Sequence, residues 1–319
     1  MKKLLFSTLL AFFAIASLTF VSCDKNDDPE PIPETPTIAG LAQNTANLSS
    51  LVAALKRADL VSVLDGTDKF TVFAPTNDAF AAFLTANGFA NLEAVPVATL
   101  KQILLNHVIT GEVKSTSLTT GYVKTNATFG TTTSNLSLFV NTASGVVLNN
   151  GIKVTSADNI AKNGVVHIVD QVIGIPSIVT AALSNPNFST LVSALTRSDL
   201  GVDYVAVLSG AGPFTVFAPT NDAFTALLGE LGATSLAAID AATLNAVLQY
   251  HVVAGANVLS TQLTDEQVIT TFQGGTLRVD LDGGAKLVDA KGRIANIVAV
   301  DVQCGNGVIH AINKVVLPN

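Results

Sequence analysis

The chain has 319 residues, room for two ordinary domains, and 24 acidic residues outnumber 17 basic ones for a net charge of −7. That balance argues against nucleic acid and anionic membrane surfaces as partners. With only two cysteines, Cys23 and Cys304, a disulfide framework is excluded, so stability must come from hydrophobic cores.

Residues 1–22 read as a secretory signal: Lys2 and Lys3 open it, an apolar stretch follows, and the small Ser22 precedes Cys23. The apolar stretch, roughly 18 residues, is marginal for spanning a bilayer. Phe20-Val21-Ser22-Cys23 resembles the lipobox of a bacterial lipoprotein, which implies that Cys23 is the lipidated first residue of the mature chain. Phe20 stands where Leu is usual, and ordinary cleavage or an uncleaved anchor are the alternatives. Residues 23–35 are acidic, proline-rich and without periodicity, the composition of an extended tether. An acidic run after a lipidated cysteine is similar to the surface-export signal of Bacteroidota lipoproteins. It implies an exported protein, lipid-anchored in the outer membrane and exposed at the surface; a plain solvated spacer is the other reading.

Leu48, Leu51, Val52 and Leu55 then recur at helical spacing and predict an amphipathic helix. Phe70-Thr71-Val72-Phe73 predicts a strand with Phe70 and Val72 on one face and Thr71 and Phe73 on the other. Pro75 closes it, Thr76 is placed to cap a helix carrying Phe80, Phe83 and Leu84 inward, and Gly88 ends that helix. A third helix is expected to hold Leu100, Ile103, Leu104, His107 and Val108 on one stripe. Residues 111–175, rich in Val, Thr and Ile with Gly and Asn turns, read as a run of strands.

The same program then repeats. The block from Phe70 through Ala74-Pro75-Thr76-Asn77-Asp78-Ala79-Phe80 returns unchanged from Phe214 through Ala218-Pro219-Thr220-Asn221-Asp222-Ala223-Phe224. Asn163-Gly164-Val165-Val166-His167 is answered by Asn306-Gly307-Val308-Ile309-His310, and a lengthening between Leu200 and Phe214 marks a surface loop. Two tandem domains are expected, 36–175 and 176–319, each α+β with helices first and strands afterwards. The last strand of the first copy should run straight into Pro176, restricting the relative orientation of the two domains.

Together, the Thr-Val-Phe-Ala-Pro-Thr-Asn-Asp-Ala-Phe block, a histidine in the third helix and a closing Asn-Gly-Val-(Val/Ile)-His strand resemble the fasciclin (FAS1) domain, in order, in both copies. The resemblance implies an α+β fold of two tandem FAS1 domains, each a β-sandwich wedge with several packed helices, and a role in adhesion. The family's Tyr-His adhesion motif is Tyr250-His251 in the second copy and Asn106-His107 in the first. Its Asp-Ile pair becomes Asp158-Asn159 and Asp301-Val302. The candidate interaction residues are therefore Tyr250, His251, Asn106, His107, Asp301 and Val302, and integrin recognition itself is not carried over.

The remaining polar motifs favour architecture over chemistry. His107, His167, His251 and His310 fall at equivalent places and read as buried side chains satisfied by the backbone, since two histidines without a third ligand make no zinc site. Thr76, Asn77, Asp78, Thr220, Asn221 and Asp222 read as turn and capping residues. Asp280-Leu281-Asp282-Gly283-Gly284 lacks the later ligands of a calcium loop and reads as a hairpin turn. Cys304 reads as a buried structural thiol, and no Gly-x-Ser-x-Gly supports hydrolysis.

No cofactor is expected. The chain reads as a non-catalytic adhesion module that binds surface or matrix proteins weakly and multivalently, with self-association open and the membrane met only through the lipid anchor. An envelope glycan-binding lipoprotein is the alternative, weakened by the absence of Trp and by only three tyrosines.

Overall fold

Thr37 opens the first helix, α1 (Ile38–Gln43), its hydroxyl accepting a hydrogen bond from the Gly40 N–H at 3.2 Å. The computed structural model describes residues 34–319; the leader, Cys23 and the tether through residue 33 lie outside the described residues. α2 (Ser49–Arg57) buries Leu51, Ala54 and Leu55, and the single turn α3 (Val61–Leu64) leads to β1 (Phe70–Pro75), in which all six residues are buried. Thr76 caps α4 (Asn77–Ala86) by accepting from the Ala79 N–H at 3.2 Å. Gly88 follows at φ 70°, a left-handed conformation that costs a side-chain-bearing residue about 1–2 kcal/mol. Phe80 is fully buried, but Phe83 and Leu84 are only half-buried, so the inward stripe of α4 is narrower than its apolar spacing suggests.

The third helix is also shorter than its pattern. α5 (Val97–Leu105) stops before His107, Asn106 caps it, and Val108 already belongs to β2 (Val108–Thr110). The remaining strands follow: β3 (Gly121–Thr128), β4 (Asn135–Asn141), β5 (Val147–Leu148), β6 (Ile152–Ala161) and β7 (Gly164–Val169).

The second repeat runs through α6 (Ile178–Ser184), α7 (Ser189–Leu195), α8 (Tyr204–Ser209), β8 (Phe214–Pro219), α9 (Asn221–Leu231), α10 (Ala241–Tyr250) and β9 (Val252–Ala254). It closes with β10 (Val268–Thr270), β11 (Thr276–Asp280), β12 (Lys286–Val288), β13 (Ile294–Cys304) and β14 (Gly307–Ile312). The added length between Leu200 and Phe214 is taken up around α8, which is longer than α3.

Each repeat forms one seven-stranded sheet, in the orders β2-β1-β7-β6-β5-β4-β3 and β10-β11-β12-β13-β14-β8-β9. The expected split into helices first and strands afterwards is corrected here, because β1 sits inside the sheet, parallel to β7, with Phe70 opposite Gly164 and Pro75 opposite Val169. Glycine is required where these two strands meet: a Cβ on Gly164 would lie 1.9 Å from the Phe70 carbonyl oxygen, and one on Gly307 would lie 2.2 Å from that of Phe214. The register of β6 shifts twice, at Val154/Ser156 and Ser156/Asn159, and that bend folds the later strands over the earlier ones into a sandwich.

The alternation in β1 then serves two cores. Val72 and Ala74 join Leu51, Leu100 and Leu104 under the helices, whereas Phe73 enters the sandwich interior with Leu138, Val140, Leu148 and Val169. Each valine, leucine or phenylalanine among them contributes about 1.5–3 kcal/mol on full burial. The second repeat divides in the same way, Val216 and Ala218 against the helices and Phe217 inside the sandwich. Among the described residues no helix is long and apolar enough to cross a membrane.

Between the repeats the expected continuous strand is absent: β7 ends at Val169, and residues 170–177 form an irregular connector outside the sheet. It is held from both sides. The Ile173 N–H donates to His107 Nε2 at 2.8 Å, the Asn106 side chain donates to the Gly174 oxygen at 2.9 Å, and the Gly305 N–H donates to the Pro176 oxygen at 2.7 Å.

Candidate functional site

Equivalent histidines at the ends of α5 and α10 tie each helix to the segment that follows the last strand of its repeat. His107 Nδ1–H donates to the Ile103 oxygen at 2.7 Å, a last-turn carbonyl that also accepts from the Asn106 N–H at 3.1 Å, while its Nε2 accepts from Ile173. His251 repeats this with the Val247 oxygen at 2.7 Å and the Val316 N–H at 3.1 Å. Both rings are buried, and desolvation lowers each from 6.5 to about 4, so both are neutral at physiological pH.

The other pair uses the opposite tautomer. His167 Nε2–H donates to the Val113 oxygen at 3.0 Å and Nδ1 accepts from the Asp158 N–H at 3.1 Å; His310 does the same with Val258 at 2.8 Å and Asp301 at 3.4 Å. Their rings stack on Phe73 and Phe217, with centroids 5.5 and 5.7 Å apart. Burial, the largest cause, lowers His310 as well. With both nitrogens of all four rings occupied by backbone, none is placed to move a proton to a ligand.

Asp158 and Asp301 sit at the bulges of β6 and β13, both at φ 58°. Asp158 accepts from the Ser115 N–H at 2.8 Å and the Ser115 hydroxyl at 2.5 Å, and Asp301 binds Ser260 likewise at 2.7 and 2.5 Å. The serine hydroxyl and backbone hold the Asp158 carboxyl below the usual carboxylate range. Asn77 accepts from the Ser50 N–H at 2.8 Å and donates to the Ala46 oxygen, and Asn221 pairs in the same way with Thr190 and Pro186. Thr220 caps α9 through Ala223 N–H, while Asp78 and Asp222 are exposed in the first turns, where a carboxylate complements the helix dipole. Among the described residues no three His, Cys, Asp or Glu side chains form a group that could hold a metal ion.

The structure corrects the candidate interaction residues. Tyr250, His251, Asn106, His107 and Val302 are all buried, and Asp301 spends its carboxylate on Ser260. Tyr250 has no exposed surface: its hydroxyl donates to the Thr276 oxygen at 2.5 Å and accepts from the Ala290 N–H at 3.1 Å. A side chain enclosed in this way offers no area to a partner, so these residues position the fold rather than meet a ligand.

Sequence reading missed the contact between the repeats. The outer face of β3 and β4 packs on the second repeat: the Tyr122 hydroxyl donates to the Ala181 oxygen at 2.8 Å, and its ring lies edge-on to Phe139 at 4.9 Å. Lys124 donates to the Asp301 oxygen at 2.5 Å, and the Gln303 N–H donates to the Ser137 hydroxyl at 3.0 Å. Burial, the largest cause, raises the Tyr122 phenol, lowers the Lys124 ammonium and pushes the Cys304 thiol up to about 12. The signal available was Tyr122 itself, one of three tyrosines, within the stretch read as a run of strands.

Exposed apolar residues concentrate on the second repeat. The β13 bulge carries Val298 and Val300, 56% and 45% exposed, where the equivalent stretch of the first repeat is Thr155-Ser156-Ala157. Val268 on β10 is 63% exposed, with Ile294 also on the surface.

The family model described as "Fasciclin domain" matches residues 46–176 and again 186–318. Human periostin is 29% identical over 259 residues, covering 80% of this chain and 29% of periostin. The pig transforming growth factor-beta-induced protein ig-h3 is 30% identical over 261 residues, 80% of this chain and 36% of that protein. Protein sll1483 of Synechocystis sp. is 39% identical over 142 residues, 44% of this chain and 73% of that protein. The chain thus spans about a third of the two animal relatives. A solved FAS1 domain pair from the insect cell adhesion molecule fasciclin I aligns with 20% identity and a TM-score of 0.49, over 83% of this chain and 92% of that one.

Proposed function

The chain belongs to the fasciclin family as two tandem FAS1 domains, and from that premise we propose that it is a non-catalytic adhesion module binding surface or matrix proteins through weak contacts repeated over many copies. The observation that carries the reading is the occupation of all four histidines by structural hydrogen bonds, while apolar side chains lie open on the second repeat. The contact surface proposed is the β13 bulge at Val298 and Val300, not the buried Tyr250-His251 pair. Scattered valines without Trp supply little energy per contact, and many tethered copies on one surface compensate by avidity.

Export and attachment through Cys23 to the outer membrane, with the domains facing outward, are part of the proposal. They are supported by the leader, the Phe20-Val21-Ser22-Cys23 motif and the acidic stretch after it. Metabolic labelling with a radioactive fatty acid tests the anchor: label lost in Cys23→Ala supports it, and label kept, or absent from the parent protein, overturns it.

The adhesion reading is tested with beads carrying many copies, probed against arrays of matrix proteins, surface proteins and glycans, beside the variant Val298→Asp/Val300→Asp. Saturable protein binding by beads that weakens in the variant supports it. Binding to glycans alone, or tight binding by the soluble single copy, overturns it.

A further inference from the structure

The two repeats have the same architecture, yet the corresponding sheet faces differ in what covers them. In the first repeat the outer face of β3 and β4 lies against the second: Ser137 and Phe139 are buried there, and Tyr122 packs into the neighbouring core. Ladder register identifies the equivalent positions in the second repeat. The inward pair Val123 and Leu138 corresponds to Ile269 and Leu277, so the outward pair Tyr122 and Phe139 corresponds to Val268 and Arg278, and Lys124 and Ser137 correspond to Thr270 and Thr276. Those positions are open: Val268 is 63% exposed, Thr270 and Thr276 are exposed, and Arg278 is half-buried with its guanidinium paired to Glu266.

The complementary surface shows the same asymmetry. Gln303, opposite Val308 and next to the Cys304–Gly307 pair, is wholly buried and meets Ser137 of the first repeat through its N–H. Ile160, opposite Val165 and next to the Ala161–Gly164 pair, is its equivalent, and it is 47% exposed. Ala181, whose oxygen receives the Tyr122 hydroxyl, answers to the half-buried Leu41. The chain therefore carries one used copy of an interface and the two unused halves of another.

We propose that these halves join between molecules: the open face of β10 and β11 in one copy receives the α1 and β6 surface of a second copy, repeating between chains the contact made within each chain. Thr276 brings a hydroxyl to the place of Ser137, beside Ile160 in the place of Gln303. Val268 is shorter than Tyr122, and Leu41 is longer than Ala181, so the size changes across the contact run in opposite directions. The missing phenol hydrogen bond is replaced by contact among Val268, Leu41 and Ile160, which releases apolar surface from water. A contact of this kind is heterologous, so it propagates head to tail and does not stop at a symmetric dimer. It is independent of the surface proteins discussed above, because the β13 bulge lies outside it: the equivalent Thr155 and Ala157 stay exposed beside the existing interface.

Sedimentation velocity of the purified protein over a concentration series tests this, with Val268→Asp on one half and Ile160→Asp on the other. Both positions are exposed, and circular dichroism confirms that the variants keep the fold. The parent protein is expected to form species that grow past the dimer as concentration rises. Each variant alone is expected to stay monomeric, and an equal mixture is expected to form dimers and nothing larger, since each partner retains one intact half. A parent protein monomeric at every concentration, variants that assemble like the parent, or a mixture that stays monomeric overturns the proposal. A parent protein that binds no surface or matrix protein in the bead assay, with assembly intact, overturns the adhesion reading alone.

Discussion

Ser137 and Gln303 stand 166 positions apart in the chain, and the Gln303 N–H donates to the Ser137 hydroxyl at 3.0 Å in a contact closed to solvent. That bond joins β4 of the first domain to β13 of the second, beside Lys124 and Tyr122. Together with the anchored connector, it gives the pair a fixed arrangement, so the two domains present their surfaces as one body.

Ser137→Ala removes the acceptor and leaves a buried N–H unpaired, at a cost of about 1–3 kcal/mol. The expected result is an earlier midpoint in urea unfolding; an unchanged midpoint would show that the contact carries no stability.

Below neutral pH His107 and His251 set the trend. Because burial lowers His107 and His251 from 6.5 to about 4, the unfolded chain binds their protons more readily than the folded one. Their contribution is fully present above about pH 6.5 and is lost as pH falls toward about 4, on the order of 3 kcal/mol for each domain. Denaturation across that range should show the decline, and His107→Gln should flatten it for the first domain. His107 and His251 imidazole NMR signals that titrate near pH 6.5 in the folded protein would contradict this account.

Tyr250→Phe keeps the buried ring but strands the Thr276 oxygen and the Ala290 N–H, a loss of about 1–3 kcal/mol. Tyr250→Ala adds a cavity and should cost about 3–5 kcal/mol. Adhesion measured on folded protein should be unchanged in Tyr250→Phe. A variant with full stability and lost binding would restore Tyr250 as a contact residue.

Cys304, with its thiol pushed up to about 12 and no exposed surface, should resist maleimide in the native protein. Tyr122→Ala loosens the packing beside it, so labelling of Cys304, followed by peptide mass spectrometry, should speed up. Equal rates in the two proteins would place the thiol's protection outside the interface.

Much of the fold was legible beforehand where it is written locally. Thr76 and Thr220 cap helices, Gly88 follows one in the left-handed conformation, and β1 alternates between two cores as Phe70-Thr71-Val72-Phe73 suggests. Helical periodicity overran its target at His107 and Val108, because an apolar residue buried by a strand satisfies the same pattern as one buried by a helix. His251 was legible as a buried side chain, but Tyr250 beside it was legible only as part of a motif and not as an interior residue.

The sequence by itself determined the duplication, the two-domain plan, the family and the matched placement of the four histidines, since identity over a distance and local periodicity survive without coordinates. Only the tertiary structure decided that Tyr250 faces inward, that β1 pairs in parallel with β7, and that one sheet face is covered while its twin stands open. The physical reason is that burial belongs to a side chain's neighbours. Here those neighbours come from distant segments: Phe70 meets Gly164, and Ser137 meets Gln303, in contacts that neither residue's local sequence specifies.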